Sequence, residues 1–218
     1  MLHKKIESIL PLVQKPARYT GGELNSVVKD KNNVDIRFAF CFPDTYESGM
    51  SHLGLKILYG LINSKENYWC ERVFAPDTDM EEVMRKNNIP LFGLESHDSL
   101  KDFDAVGFTL QYELSFSNVL NMLDLAGIPV RSENRGDSLK DNPIIVAGGP
   151  CVVNPEPLAD FIDCFQIGEG EEMMIDFLDL LNEYKKKNAS RKEFLIAASH
   201  IEGIYVPSLY SVAYNEDG

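Results

Sequence analysis

The fold turns on residues 34–49, VDIRFAFCFPDTYESG. The first nine, Val34 to Phe42, are almost continuously β-branched, aromatic or small, with no strict polar alternation. Such a run suits a strand buried on both faces, as strands of a parallel sheet are. Pro43 and Asp44 then break it. From Met50 to Ile62 the apolar residues Leu53, Leu55, Ile57, Leu58 and Leu61 recur at helical spacing.

The same alternation continues downstream. Strands are predicted at Tyr68–Ala75, Ile89–Leu94, Asp104–Leu110, Pro143–Ala147 and Phe161–Ile167. Helices are predicted at Asp77–Asn87, with Asp77 or Thr78 as cap, and at Ser115–Leu125, Glu169–Tyr184 and Lys192–His200. In the helix from Glu169, residues Met174, Ile175, Phe177, Leu178 and Leu181 point inward. Upstream, Leu2–Leu10 reads as a short helix stopped by Pro11, followed by a turn-rich arm with Pro16, Gly21 and Gly22. Strands alternating with helices argue for an α/β fold with a doubly wound, mainly parallel sheet. The domains divide as 1–33 helix and arm, 34–200 α/β domain, and 201–218 linker and strand. Ser208 to Tyr214 alternates like a strand, and residues 215–218 read as the turn of a β-hairpin. A turn without its second strand reads as the front piece of a longer protein.

The 218 residues are 44% hydrophobic and 25% charged, with a formal net charge of −13. That balance fits a packed globular core, and the acidic excess argues against a nucleic-acid partner. Cys41, Cys70, Cys151 and Cys164 lack the short spacing of a zinc or iron–sulfur loop, so they read as small apolar core residues. His3, His52, His97 and His200 make no metal set. No membrane span or signal peptide is visible, and the chain reads as cytoplasmic. Residues 185–192, KKKNASRK, read as a solvated loop between helices.

In open parallel sheets, ligands bind beyond the carboxyl ends of the strands. Four loops qualify: Asp44-Thr45-Tyr46-Glu47-Ser48-Gly49; Thr109-Leu110-Gln111-Tyr112; Gly148-Gly149-Pro150; and Gly168-Glu169-Gly170-Glu171-Glu172. Glycine serves where backbone approaches a ligand or turns with positive φ. Acids in the first turn of a helix suit its dipole. The same acids repel a phosphate, and a G-x-G-x-x-G fingerprint, a Walker loop and a G-x-S-x-G elbow are all missing.

Together, KPARYTGGELNSVVKD (15–30), FPDTYESGMSHLGLKILY (42–59), GGPCVVNPEPLADFID (148–163) and IGEGEE (167–172) resemble the N-terminal, cobalamin-binding-like domain of a bacterial radical S-adenosylmethionine family. The resemblance implies a flavodoxin-like, Rossmann-like five-stranded sheet. It also implies a catalytic barrel after this chain, an Fe–S oxidoreductase carrying [4Fe–4S] and S-adenosylmethionine, as the domain's own partner. Its substrate is unknown. Cobalamin domains of the methyltransferase type carry D-x-H-x-x-G after the first strand. Here that spacing reads Asp44, Tyr46, Gly49, with tyrosine for the cobalt-ligating histidine, and His52 lies beyond Gly49.

Two readings stay open. In one, this non-catalytic domain positions cobalamin or substrate over the barrel, using Asp44, Tyr46, Gly49, Thr109, Gln111, Gly148, Gly149, Gly168, Glu169, Gly170 and Glu171. In the other, it is a cofactor-free docking domain that has kept the fold. A cleft with Gly148-Gly149 on its floor favours the first; a rim filled by Phe42, Tyr46 and Tyr112 favours the second.

Overall fold

The computed structural model describes residues 2–211, 213 and 215. A helix α1 (Leu2–Ile9) leads through an arm to strand β1 (Ile36–Phe42). Then follow α2 (Tyr46–Ser51), α3 (Leu53–Asn63), β2 (Tyr68–Phe74), α4 (Thr78–Lys86) and β3 (Ala105–Thr109). The remainder is α5 (Phe116–Leu125), β4 (Ile144–Gly148), β5 (Cys164–Gln166), α6 (Gly170–Lys186), α7 (Arg191–Ala198) and β6 (Ile204–Tyr205). The sheet has six strands in the order β2-β1-β3-β4-β5-β6. The first five are parallel, in the flavodoxin-like order, and β6 adds an antiparallel edge to β5.

Side chains alternate across a strand, so each strand feeds two cores. Ala39, Cys41, Val106, Phe108, Ile145, Ala147 and Phe165 pack under α1, α4 and α5. Phe38, Phe40, Phe42, Ala105, Ile144, Val146 and Cys164 pack under α3, α6 and α7. This two-sided burial is what the apolar run Phe38–Phe42 encodes, with the charged Asp35 and Arg37 upstream of it. On β3 the second face carries Gly107, because the Phe38 ring occupies its side: a Cβ there would stand 2.3 Å from Phe38 Cζ.

Several expectations are corrected. Ile89–Leu94 is no strand. Pro90 and Gly93 interrupt it: Leu91 N donates to Leu125 O, only Leu94 N reaches the edge strand β2, at Arg72 O, and a single bridge joins Phe92 to Ser99. The buried stripe of α3 is Leu55, Tyr59 and Ile62, whereas Leu53 and Ile57 are exposed. The run 185–192 is not all solvated. Arg191 is buried, donating to Asp163 at 2.9 Å, and Lys185 pairs with Asp104 at 2.6 Å. The last strand is Ile204–Tyr205, and Pro207–Leu209 forms a 3-10 turn where the strand Ser208–Tyr214 was expected. Val212, Tyr214 and most of the expected turn at 215–218 lie outside the described residues.

All four cysteines are free, three of them buried, and burial pushes the Cys41, Cys70 and Cys164 thiols up.

Candidate functional site

The parallel strands bring the four loops to one rim. Between that rim, α3 and α6 lies a cleft of about 200 Å³. Its floor follows from strand register. Phe40, Gly107 and Val146 stand side by side on the face toward α3 and α6, and one step nearer the carboxyl ends come Thr109 and Gly148. Two residues beyond Cys164, Gln166 points to the same face and also lines the cleft. The walls include Leu58 of α3 and Met174 of α6. At Gly170 the two helices come together, where a Cβ would stand in ordinary contact with Leu58 Cδ1 at 3.5 Å.

Thr109, Gln111, Gly148, Gly149, Gly168, Gly170 and Glu171 therefore line one cleft. Gln111 Nε2 donates to Thr109 Oγ1 at 2.6 Å, fixing both side chains. Gly149 has φ +103°, and a Cβ would stand 2.8 Å from Leu110 O, so the turn after β4 requires glycine. Glu171 lies in the first turn of α6, whose cap residue Glu169 makes no side-chain cap bond.

Asp44, Tyr46, Gly49 and Glu169 do not line the cleft. The Asp44 carboxylate accepts from Thr45 N at 2.6 Å and from the Tyr112 hydroxyl at 2.6 Å, tying the loop after β1 to the loop after β3. Tyr46 donates to Glu23 of the arm at 3.0 Å and packs edge-on against Phe74. Gly49 is small because that same Phe74 ring takes its space, 2.2 Å from a would-be Cβ. Phe42 and Tyr46 thus pack beside the cleft rather than into it, and Tyr112 is part-exposed at the rim.

Two polar cleft residues escaped the sequence reading. His52 caps α3, its Nδ1 accepting from Leu55 N at 3.1 Å, and its ring borders the cleft. A nitrogen that accepts leaves the proton on the other, so His52 presents an Nε2–H donor. Gln166 is 5% exposed, and its Nε2 has no hydrogen-bond partner among the described residues. A buried amide without a partner carries a desolvation cost of about 1–3 kcal/mol. The period-two pattern of strand β5 was the signal for it: a polar residue occupies a position that the pleat turns toward the core.

Among the described residues no group of three or more His, Cys, Asp and Glu side chains could hold a metal ion. No helix of the described residues is long and apolar enough to cross a membrane.

The chain is 31% identical over 146 residues to "Uncharacterized protein MJ0966" of Methanocaldococcus jannaschii, covering 65% of this chain and 26% of that relative. It thus spans about a quarter of the length of the curated relative it matches. The family model described as "Radical SAM proteins, N-terminal" matches residues 54–207, most of the chain. This chain belongs to the radical SAM N-terminal family.

Proposed function

We propose that this chain is the non-catalytic front domain of a longer radical SAM iron–sulfur protein and presents a substrate group from the rim cleft toward the catalytic barrel. The [4Fe–4S] cluster and S-adenosylmethionine would belong to that barrel. The observation that carries the reading is the cleft itself. It opens at the carboxyl ends of β3, β4 and β5, where open α/β sheets bind ligands, and it holds a buried, unpartnered amide at Gln166.

The side chains do not fit a cobalt ligand. Tyr46 is turned to Glu23, and His52 has spent its acceptor nitrogen on the cap of α3. A space of about 200 Å³ is also below the range of about 300–1,000 Å³ common for whole drug-sized ligands. Substrate positioning is therefore favoured over cobalamin positioning. A titration of the chain with hydroxocobalamin, followed by calorimetry and the visible spectrum, tests this. No saturable binding is expected; saturable binding with a base-off spectrum overturns the cobalt argument.

The docking reading has its own support. Leu53, Leu114, Val153 and Ile167 are exposed apolar side chains on or beside the rim, and another domain covering them would remove that surface from water. Hydrogen exchange of this chain against the longer protein tests it. Slower exchange at 109–114, 149–153 and 167–172 in the longer protein is expected; equal exchange overturns docking at this rim.

A further inference from the structure

We infer that the cleft is a subsite for a phosphate-free adenine nucleoside, or a group with the same edge, read by the side-chain amide of Gln166. This rests on the proposal that the cleft binds a ligand, and it names the ligand's chemistry.

The argument starts from the amide. A primary amide offers a donor and an acceptor side by side. The partner that satisfies both is a planar edge with an acceptor beside a donor, as in the bidentate pairing of glutamine with adenine N7 and its 6-amino group. Gln166 lines the cleft, its Nε2 is buried and unpartnered, and its Oε1 lies 4.0 Å from where a Cβ on Gly148 would stand, next to the floor. A ring lying in the cleft meets Gly148 of the sheet on one side and Leu58 and Met174 of the helices on the other. Its volume of about 200 Å³ suits a base rather than a whole dinucleotide.

The mouth decides what the base carries. Glu171 lies there, with Glu169 and Glu172 beside it on the same helix turn. The Glu171 carboxylate accepts hydrogen bonds from sugar hydroxyls, and the three acids together repel phosphate. His52 adds an Nε2–H donor at the edge of the cleft. An unphosphorylated sugar therefore fits where a nucleotide does not.

The test is calorimetry of this chain with adenosine, purine riboside, benzimidazole riboside and adenosine monophosphate. Adenosine is expected to saturate at millimolar concentration or below. Purine riboside lacks the 6-amino group and benzimidazole riboside offers no donor beside its acceptor, so both should bind about 10-fold or more weakly, the usual discrimination of a bidentate pair. The monophosphate should also bind less tightly. Gln166→Leu should weaken adenosine at least as much as loss of the amino group does. No saturable adenosine binding, or purine riboside binding as tightly as adenosine, overturns the assignment. If Gln166→Leu does not fold, the adenosine against purine riboside comparison on the wild-type chain decides alone. Rim protection in the longer protein is independent of these titrations, so a docking role would survive a negative result here.

Discussion

Tyr46 donates its hydroxyl hydrogen to Glu23 Oε1 at 3.0 Å, and the same carboxylate accepts from Arg72 Nη2 at 2.8 Å. One acid of the arm thus ties the loop after β1 to edge strand β2. Burial works against ionised Glu23, but its own backbone N–H, Arg72 and Tyr46 outweigh it and hold its pKa below the usual carboxylate range. Stability from this group is therefore present above the unfolded glutamate pKa of about 4.3 and is lost as pH falls below it. Glu23→Ala should cost about 1.5–3 kcal/mol, as hydrogen bonds to charged groups do. Tyr46→Phe should cost less and leave ligand binding in the cleft unchanged. Urea denaturation of the two variants checks the order.

Three glycines near the cleft should behave differently. A Cβ on Gly107 meets the Phe38 ring at 2.3 Å, and one on Gly149 meets Leu110 O at 2.8 Å with φ at +103°. Gly107→Ala and Gly149→Ala should each cost about 1–3 kcal/mol, the first through overpacking and the second through backbone strain. A Cβ on Gly148 meets nothing nearer than 3.8 Å. Gly148→Ala should therefore stay within about 0.5 kcal/mol of wild type in urea and still weaken a ligand lying on that floor. The contrast separates the cleft from the fold.

The parallel sheet was legible because Phe38, Phe40 and Phe42 face one core while Ala39 and Cys41 face the other, leaving no polar position between residues 38 and 42. The same logic misled at Ile89–Leu94, an apolar stretch whose burial comes from packing beneath the sheet edge rather than from pairing. The glycines of the rim were legible because turns impose them. The direction of Tyr46 was not, since its partner Glu23 lies on an arm that spacing cannot fold. Gln166 stood in plain view beside Gly168 and Glu169. The pleat of β5 turns it to the same face as Thr109 and Gly148, and the strand register then shows that it completes a polar edge on an apolar face.

The N-terminal helix is held through an imidazole pair. His97 Nε2 lies 3.1 Å from Tyr19 O, and its Nδ1 lies 3.2 Å from His3 Nδ1. A carbonyl only accepts, so Nε2 keeps the proton, Nδ1 of His97 accepts, and His3 donates. Burial, and then the nearby His3, lower the His97 pKa, against the pull of the Tyr19 carbonyl and the more distant Glu71 and Glu7. The unfolded chain takes up this proton near pH 6.5 while the folded chain resists it. Stability from the site is thus present above about pH 6.5 and is lost as pH falls toward the lower folded value. His97 has φ +57°, which asparagine tolerates. The drop in urea midpoint between pH 7.5 and 5.5 should be smaller in His97→Asn than in wild type, and amide exchange across α1 should follow the same trend.

The strand that carries Gln166 is anchored three residues earlier. Asp163 is almost wholly buried; it accepts from Ile145 N at 2.7 Å and pairs with Arg135 at 3.1 Å and Arg191 at 2.9 Å. Burial pulls the Arg135 pKa down, and Asp163 works to restore it. Removing one partner of a buried ionic group leaves the others charged and unpaired, at a cost of about 3–5 kcal/mol. Asp163→Asn should reach that range, because two guanidinium groups lose their counter-charge at once. The neighbouring pair Arg131–Asp160, at 2.8 Å, is more than half exposed on both sides. Asp160→Asn should therefore cost no more than about 1 kcal/mol. Measured together in urea, the two variants separate burial from mere proximity, since both carboxylates sit beside arginines at similar distances. Asp163→Asn should also speed amide exchange in β5 and weaken any ligand that depends on Gln166, because β5 is only three residues long and Asp163 fixes where it begins. Equal costs for the two variants would mean that the triad is not what holds β5 in register.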